Sequence, residues 1–158
     1  MPRHALAAAL LAALLLPACG SVETPEHRAA RKEARRDACV ATELLIHSHD
    51  RARSLGEYAS DGPLAGVLRA SAAFAAAYDQ YAQARSAQLA FQDSALTAGS
   101  AADSARYASQ AALAKDPPAM PGTVQATARE RWADDFAASK ANPDHPCNKP
   151  DDGDESKR

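Results

Sequence analysis

Leu68, Ala75, Ala82, Leu89 and Leu96 recur every seven residues, and Val67, Phe74 and Tyr81 repeat the same step beside them, with Leu64 and Tyr78 alongside. A strict seven-residue repeat of apolar side chains is a helix that keeps one stripe facing neighbouring helices, with slight left-handed coiling. It does not suit a strand, whose side chains alternate with period two. Composition agrees. The chain has 41 alanines among 158 residues and only 5% aromatic residues. Alanine is the strongest helix former, and β-branched residues, which favour sheets, are scarce. The expected fold class is all-α: one antiparallel helical bundle of three to four Ala-rich helices, with small residues permitting close approach.

The punctuation divides the bundle. Helix 1 is expected over residues 25–59, with Val40, Leu44, Leu45, Ser48, Ala52, Leu55 and Ala59 as its inward stripe. Ser60-Asp61-Gly62-Pro63 stops it, and Pro63 suits the first turn of helix 2, expected over 63–98. Gly99 reads as a C-cap, and Ser100-Ala101-Ala102-Asp103 resembles a capping box that opens helix 3, over 101–115. The alternative is a single rod that tolerates Gly99. A break is favoured. Asp116-Pro117-Pro118 ends helix 3, and Pro121-Gly122-Thr123 opens helix 4, which runs to about residue 141 with Val124, Ala128, Trp132, Phe136 and Ser139 inward. An acidic tail, residues 148–158, is expected to be disordered.

Residues 1–18 look like an address rather than structure. Arg3 and His4 precede an unbroken apolar run, Ala5–Leu16. Its twelve residues are too few for a membrane span of ~17–25, and suit the core of a signal peptide. The run ends in Leu16-Pro17-Ala18-Cys19, which resembles the lipobox of bacterial lipoproteins. That resemblance covers the targeting segment alone. It implies cleavage before Cys19, a covalent lipid on that cysteine as the only cofactor, and a polar tether over residues 19–26 ahead of a helical domain over 27–147. Gly20 stands where such proteins carry Asp when retained at the inner membrane, so the implied location is the periplasmic side of the outer membrane. The alternative is an ordinary secretory signal cut near Ala18.

With Cys19 lipidated, Cys39 and Cys147 remain. Beyond the inner membrane the surroundings are oxidising, so a disulfide is expected, against two free thiols or a metal pair. In an up-down bundle the end of helix 4 lies beside the start of helix 1, and the short stretch to Cys147 can fold back to Cys39.

Little else carries chemistry. His47-Ser48-His49-Asp50 holds the residue types of a hydrolytic triad. Consecutive residues on a helix, however, diverge by ~100° each, whereas a triad converges from separate segments. No nucleophile elbow, phosphate-binding loop, dinucleotide fingerprint, zinc-protease or paired-cysteine motif is present. No catalytic residue is assigned, and the expectation is a protein that is not an enzyme. Glu43 and His47 share the helix face of Cys39, and a disulfide would bring His145 near them. Those three are the candidate N/O ligands for zinc or copper, against a solvated Glu–His pair with His145 in a loop. Arg28, Arg31, Lys32, Arg35 and Arg36 follow the tether and suit anionic head groups, or else belong to a salt-bridged exposed helix. The weakly charged stretch Ser86–Ala114 suits packing against another helix, including a partner's. A net charge of −2 argues against nucleic acid. The expected role is a non-enzymatic structural or protein-interaction module of the envelope, with an unknown envelope protein as partner. The alternative is a metal- or small-ligand-binding periplasmic bundle.

Overall fold

The computed structural model describes residues 23–58, 62–114 and 123–149. They form four α-helices and one short 3-10 turn, with no strand among the described residues. The helices are α1 (Pro25–Tyr58), α2 (Ala65–Thr97), α3 (Ala101–Leu113) and α4 (Thr123–Ala141), and the 3-10 turn is Pro146–Asn148. The all-α bundle expected from the repeat is what the chain adopts. The lipobox, the signal segment, Ala59 and residues 150–158 lie outside the described residues.

α1 and α2 are the long members. With 34 residues at 1.5 Å rise, α1 is about 51 Å long. The two run antiparallel: Thr42 faces Ser86, and six residues further along α1 Ser48 meets Asp79, seven residues back along α2. α4 lies in the groove they form, and α3 folds back chiefly on α2. The core is therefore a three-helix one. Ala41 of α1, Ala77, Tyr78, Ala82 and Leu89 of α2, and Ala128 and Trp132 of α4 form one buried cluster. α3 gives it nothing. Ala82 and Ala41 are fully buried, and small side chains there let the backbones approach closely. Trp132 supplies the bulk, edge-on to Tyr81 at 5.4 Å and stacked on Phe136 at 4.9 Å.

The break between α2 and α3 is at Ala98, whose backbone turns extended (φ −61°, ψ 137°), so the single-rod alternative does not hold. Ser100 Oγ caps α3 by accepting from the Asp103 N–H at 3.1 Å. Its hydroxyl also donates to the Asp103 carboxylate at 2.8 Å. The start of α2 differs from expectation. Pro63 lies in a turn, and the helix begins at Ala65, whose N–H donates to the Gly62 carbonyl at 3.0 Å. Gly62 takes φ +152°, a conformation that side chains disfavour, so the turn consumes the two residues that periodicity alone assigns to the helix.

The stripe of α2 also departs from expectation. Ala75, Ala82 and Leu89 are buried, but Leu64 and Val67 are each 66% exposed. In α4, Ala128 and Trp132 are buried while Val124 is 43% exposed. The reason is length. With 19 residues α4 spans about 28 Å, roughly half of α1, and its ring and hydrogen-bond contacts on α2 fall on Tyr78, Tyr81 and Arg85. A seven-residue repeat that outlasts its partner stays apolar and becomes surface.

Candidate functional site

Two ends of the bundle are built differently, and each bears on function. At the first, Cys39 of α1 is bonded to Cys147 of the 3-10 turn, with Cα atoms 5.8 Å apart and a sequence separation of 108. Pro146 starts that turn, and His145 Nδ1 accepts from the Cys147 N–H at 3.3 Å. Asn148 then caps α4. Its Nδ2 donates to the carbonyls of Ser139 at 2.9 Å and Lys140 at 3.2 Å, which would otherwise be orphaned at the helix C-terminus. Arg36 crosses from α1 to the same point, with Nε donating to Asn148 Oδ1 at 2.5 Å and Nη2 donating to the Lys140 carbonyl.

Lys140 completes this end. Its ammonium lies 2.5 Å from both Glu33 and Asp37 of α1. Burial pushes the Lys140 ammonium down, but the hydrogen bonds to Asp37 and Glu33 outweigh it and hold its pKa above the usual lysine value. The Glu33 carboxyl is held below the usual glutamate value, chiefly by the hydrogen bond from Lys140. Of the five expected membrane-facing cations, Arg36 is therefore turned inward onto the end of α4. Arg31 pairs with Glu23 at 2.7 Å, and Arg28, Lys32 and Arg35 are exposed. The fold accordingly starts before residue 27 and includes Asn148, a residue expected to belong to the tail.

The metal candidates do not gather. Glu43 and His47 form an i,i+4 pair at 4.0 Å on an exposed face. His145 uses Nδ1 within its own turn. No group of three or more His, Cys, Asp or Glu side chains among the described residues is arranged to hold a metal ion.

Midway along the bundle, Ser48 and His49 find a partner that sequence order hides. Asp79 of α2 is 8% exposed and accepts from Ser48 Oγ and from Gln83 Nε2, each at 2.9 Å. His49 Nδ1 is 3.6 Å from Oδ2, the oxygen that accepts from Gln83. Asp50 faces solvent. The serine meets the carboxylate directly and no imidazole stands between them, so the order of groups needed for proton relay is absent. A buried, satisfied polar contact of this kind fixes the register of two Ala-rich helices that could otherwise slide.

The second end is open. Beyond the reach of α4, a groove of about 570 Å³ runs between α1 and α2, lined by Arg51 and Leu55 on one side and by Gly66, Val67, Ala70, Ser71, Phe74 and Ala75 on the other. Among the described residues Arg51 is the one charged side chain in this lining, and no described carboxylate lies within ion-pair distance of it. The small-residue stretch Ser86–Ala114 is used within the chain on one face only, and Leu113 near its end is 72% exposed. Ser86 is buried against Thr42, and Ser104 of α3 donates to the Ala95 carbonyl of α2 at 2.8 Å.

No described helix is long and apolar enough to cross a membrane. No known protein family, curated protein or solved structure matches the chain.

Proposed function

We propose that the chain is a lipoprotein of the bacterial outer membrane, anchored on its periplasmic side through Cys19, and that it serves as a non-enzymatic structural or protein-interaction module of the envelope. The observation that carries this reading is the Cys39–Cys147 disulfide. It pairs both cysteines of the folded region, as expected in an oxidising compartment. Cys19 is then the odd one out, at the position a lipobox requires.

The layout supports the reading further. Arg28, Lys32 and Arg35 are exposed on the first turns of α1, closest in the chain to the lipidated cysteine. Each adds ~1 kcal/mol of attraction near an anionic surface. Several acyl chains at ~0.8 kcal/mol per buried CH₂ provide the rest of the hold without a spanning helix. From Pro25 to Leu55 along α1 is about 45 Å, so a domain seated by its tied end would carry the open groove well clear of the lipid. The Ser48–Asp79 contact serves register, and no described constellation supplies a nucleophile with a base.

Two measurements test this. Mass spectrometry of the N-terminal peptide from membrane-extracted protein is expected to find diacylglycerol on Cys19 and an acylated amino group. Replacing Cys19 by serine should move the protein from the membrane to the soluble exported fraction. An unmodified Cys19, or unchanged membrane association of the Cys19→Ser variant, would overturn the reading.

A further inference from the structure

We propose that the open groove between α1 and the first half of α2 docks one amphipathic helix of a partner protein, a helix that lays an apolar face on Leu55, Val67 and Phe74 and presents a carboxylate to Arg51. This rests on the interaction-module reading above and names the surface and the chemistry of its partner.

The bundle itself holds the template. The groove continues the seam in which α4 is seated, and α4 fills it with Ala128, Trp132 and Phe136, spaced four apart. Three residues after Trp132, Asp135 accepts from the Tyr78 hydroxyl at 3.0 Å. The seam is thus read once, within the chain, by a helix with an apolar stripe and a carboxylate at its edge. One step further along, the same two helices offer the same kind of surface with no helix of the described residues on it. Val67 is two-thirds exposed there, and Leu64, just before α2, is equally so. A helix laid in such a groove is anchored at i, i+3, i+4 and i+7.

Charge selects the occupant. Covering Arg51 with an uncharged surface would strip it of water with nothing in exchange, whereas a carboxylate forms a paired, hydrogen-bonded contact. A second copy of the chain, docked on the same face about a twofold axis, would bring its own Arg51 to the patch and place like charges together. A lone acyl chain is poorly held by a seam walled by two helices and open above. A helix with an acidic residue satisfies both the shape and the charge.

The test places a photo-crosslinking benzoylphenylalanine at Val67 of the full chain, in the cells that make it, with the same group at Ala76, an exposed α2 residue outside the groove lining, as control. The expected adduct is specific to Val67. Sequencing its crosslinked peptide should reveal a stripe at helical spacing and an Asp or Glu within one turn of it. Arg51→Glu should lower the yield at least tenfold, and Arg51→Lys should keep it. Reversing the mapped acid to lysine should restore the yield with Arg51→Glu. Circular dichroism and an intact disulfide check that these variants fold. An adduct to a second copy, to lipid alone or to a peptide without an acid would overturn the proposal, as would no adduct or a yield indifferent to Arg51→Glu. Fractionation of the same cells reads the anchor separately. A Val67 adduct formed on protein whose Cys19 is unmodified keeps the groove and removes the lipoprotein reading.

Discussion

The end of the bundle that carries Cys39 and the end that carries Val67 share helix α1, yet they are held by different kinds of interaction. At the first, a covalent bond, an arginine–asparagine–carbonyl chain and a lysine shared by two carboxylates hold α1 to α4. At the second, Leu55 of α1 and Ala70, Phe74 and Ala75 of α2 line a groove, with Val67 and Leu64 facing solvent. An Ala-rich chain has little bulk to bury, so its stability must be concentrated somewhere. Here it is concentrated at the tied end, and that leaves an apolar surface free at the other.

The comparison is broken most severely by removing the staple. Cys39→Ser, or reduction, should cost about 4.7 kcal/mol, the chain-entropy value for a loop of about a hundred residues, read as a shift in urea unfolding with and without reductant. Trp132→Ala should follow, at about 3–4 kcal/mol, because it removes the largest side chain from a buried cluster in which four of the other six residues are alanines. Arg36→Ala leaves Asn148 Oδ1 without its donor and takes one of two donors from the Lys140 carbonyl, and should cost about 2 kcal/mol in the same assay.

The pH response sharpens the contrast further, since Glu33 and Lys140 pair at the tied end. Glu33, held below its ordinary 4.5, contributes stability above that value and loses it as pH falls through the lowered one. Lys140, held above 10.5, contributes below that value and loses it as pH rises through the raised one. Unfolding midpoints across pH should therefore fall at both extremes, and Glu33→Gln should flatten the acid limb. At the open end, Val67→Ala should change stability by no more than about 0.5 kcal/mol, since little of that side chain is buried.

How much of this was legible in the sequence follows from what each feature depends on. The seven-residue series and the Gly/Pro punctuation depend on local chemistry. They place all four helices to within two or three residues, together with the Ser100 cap. Cys39–Cys147 follows from counting cysteines once Cys19 is set aside. Periodicity marks an apolar face but carries no information on whether a partner reaches it, so Val67 and Leu64 read as core and are surface. Asp79 was missed because its partner Ser48 is 31 residues away, and no local pattern announces a contact between helices. Asn148 was missed for a related reason. It caps α4 from eight residues past Lys140, where the surrounding sequence already looks like a polar tail.

Native-state hydrogen exchange, followed peptide by peptide, tests the asymmetry most directly. Slow exchange should mark Val40–Leu45 and Ala128–Phe136, and Gly66–Ser71 should exchange faster by at least an order of magnitude. Reduction of the disulfide should erase most of that difference by loosening the tied end. Equal protection of Gly66–Ser71 and Ala128–Phe136, or a gradient unchanged by reduction, would contradict an account in which one stapled end holds the other open.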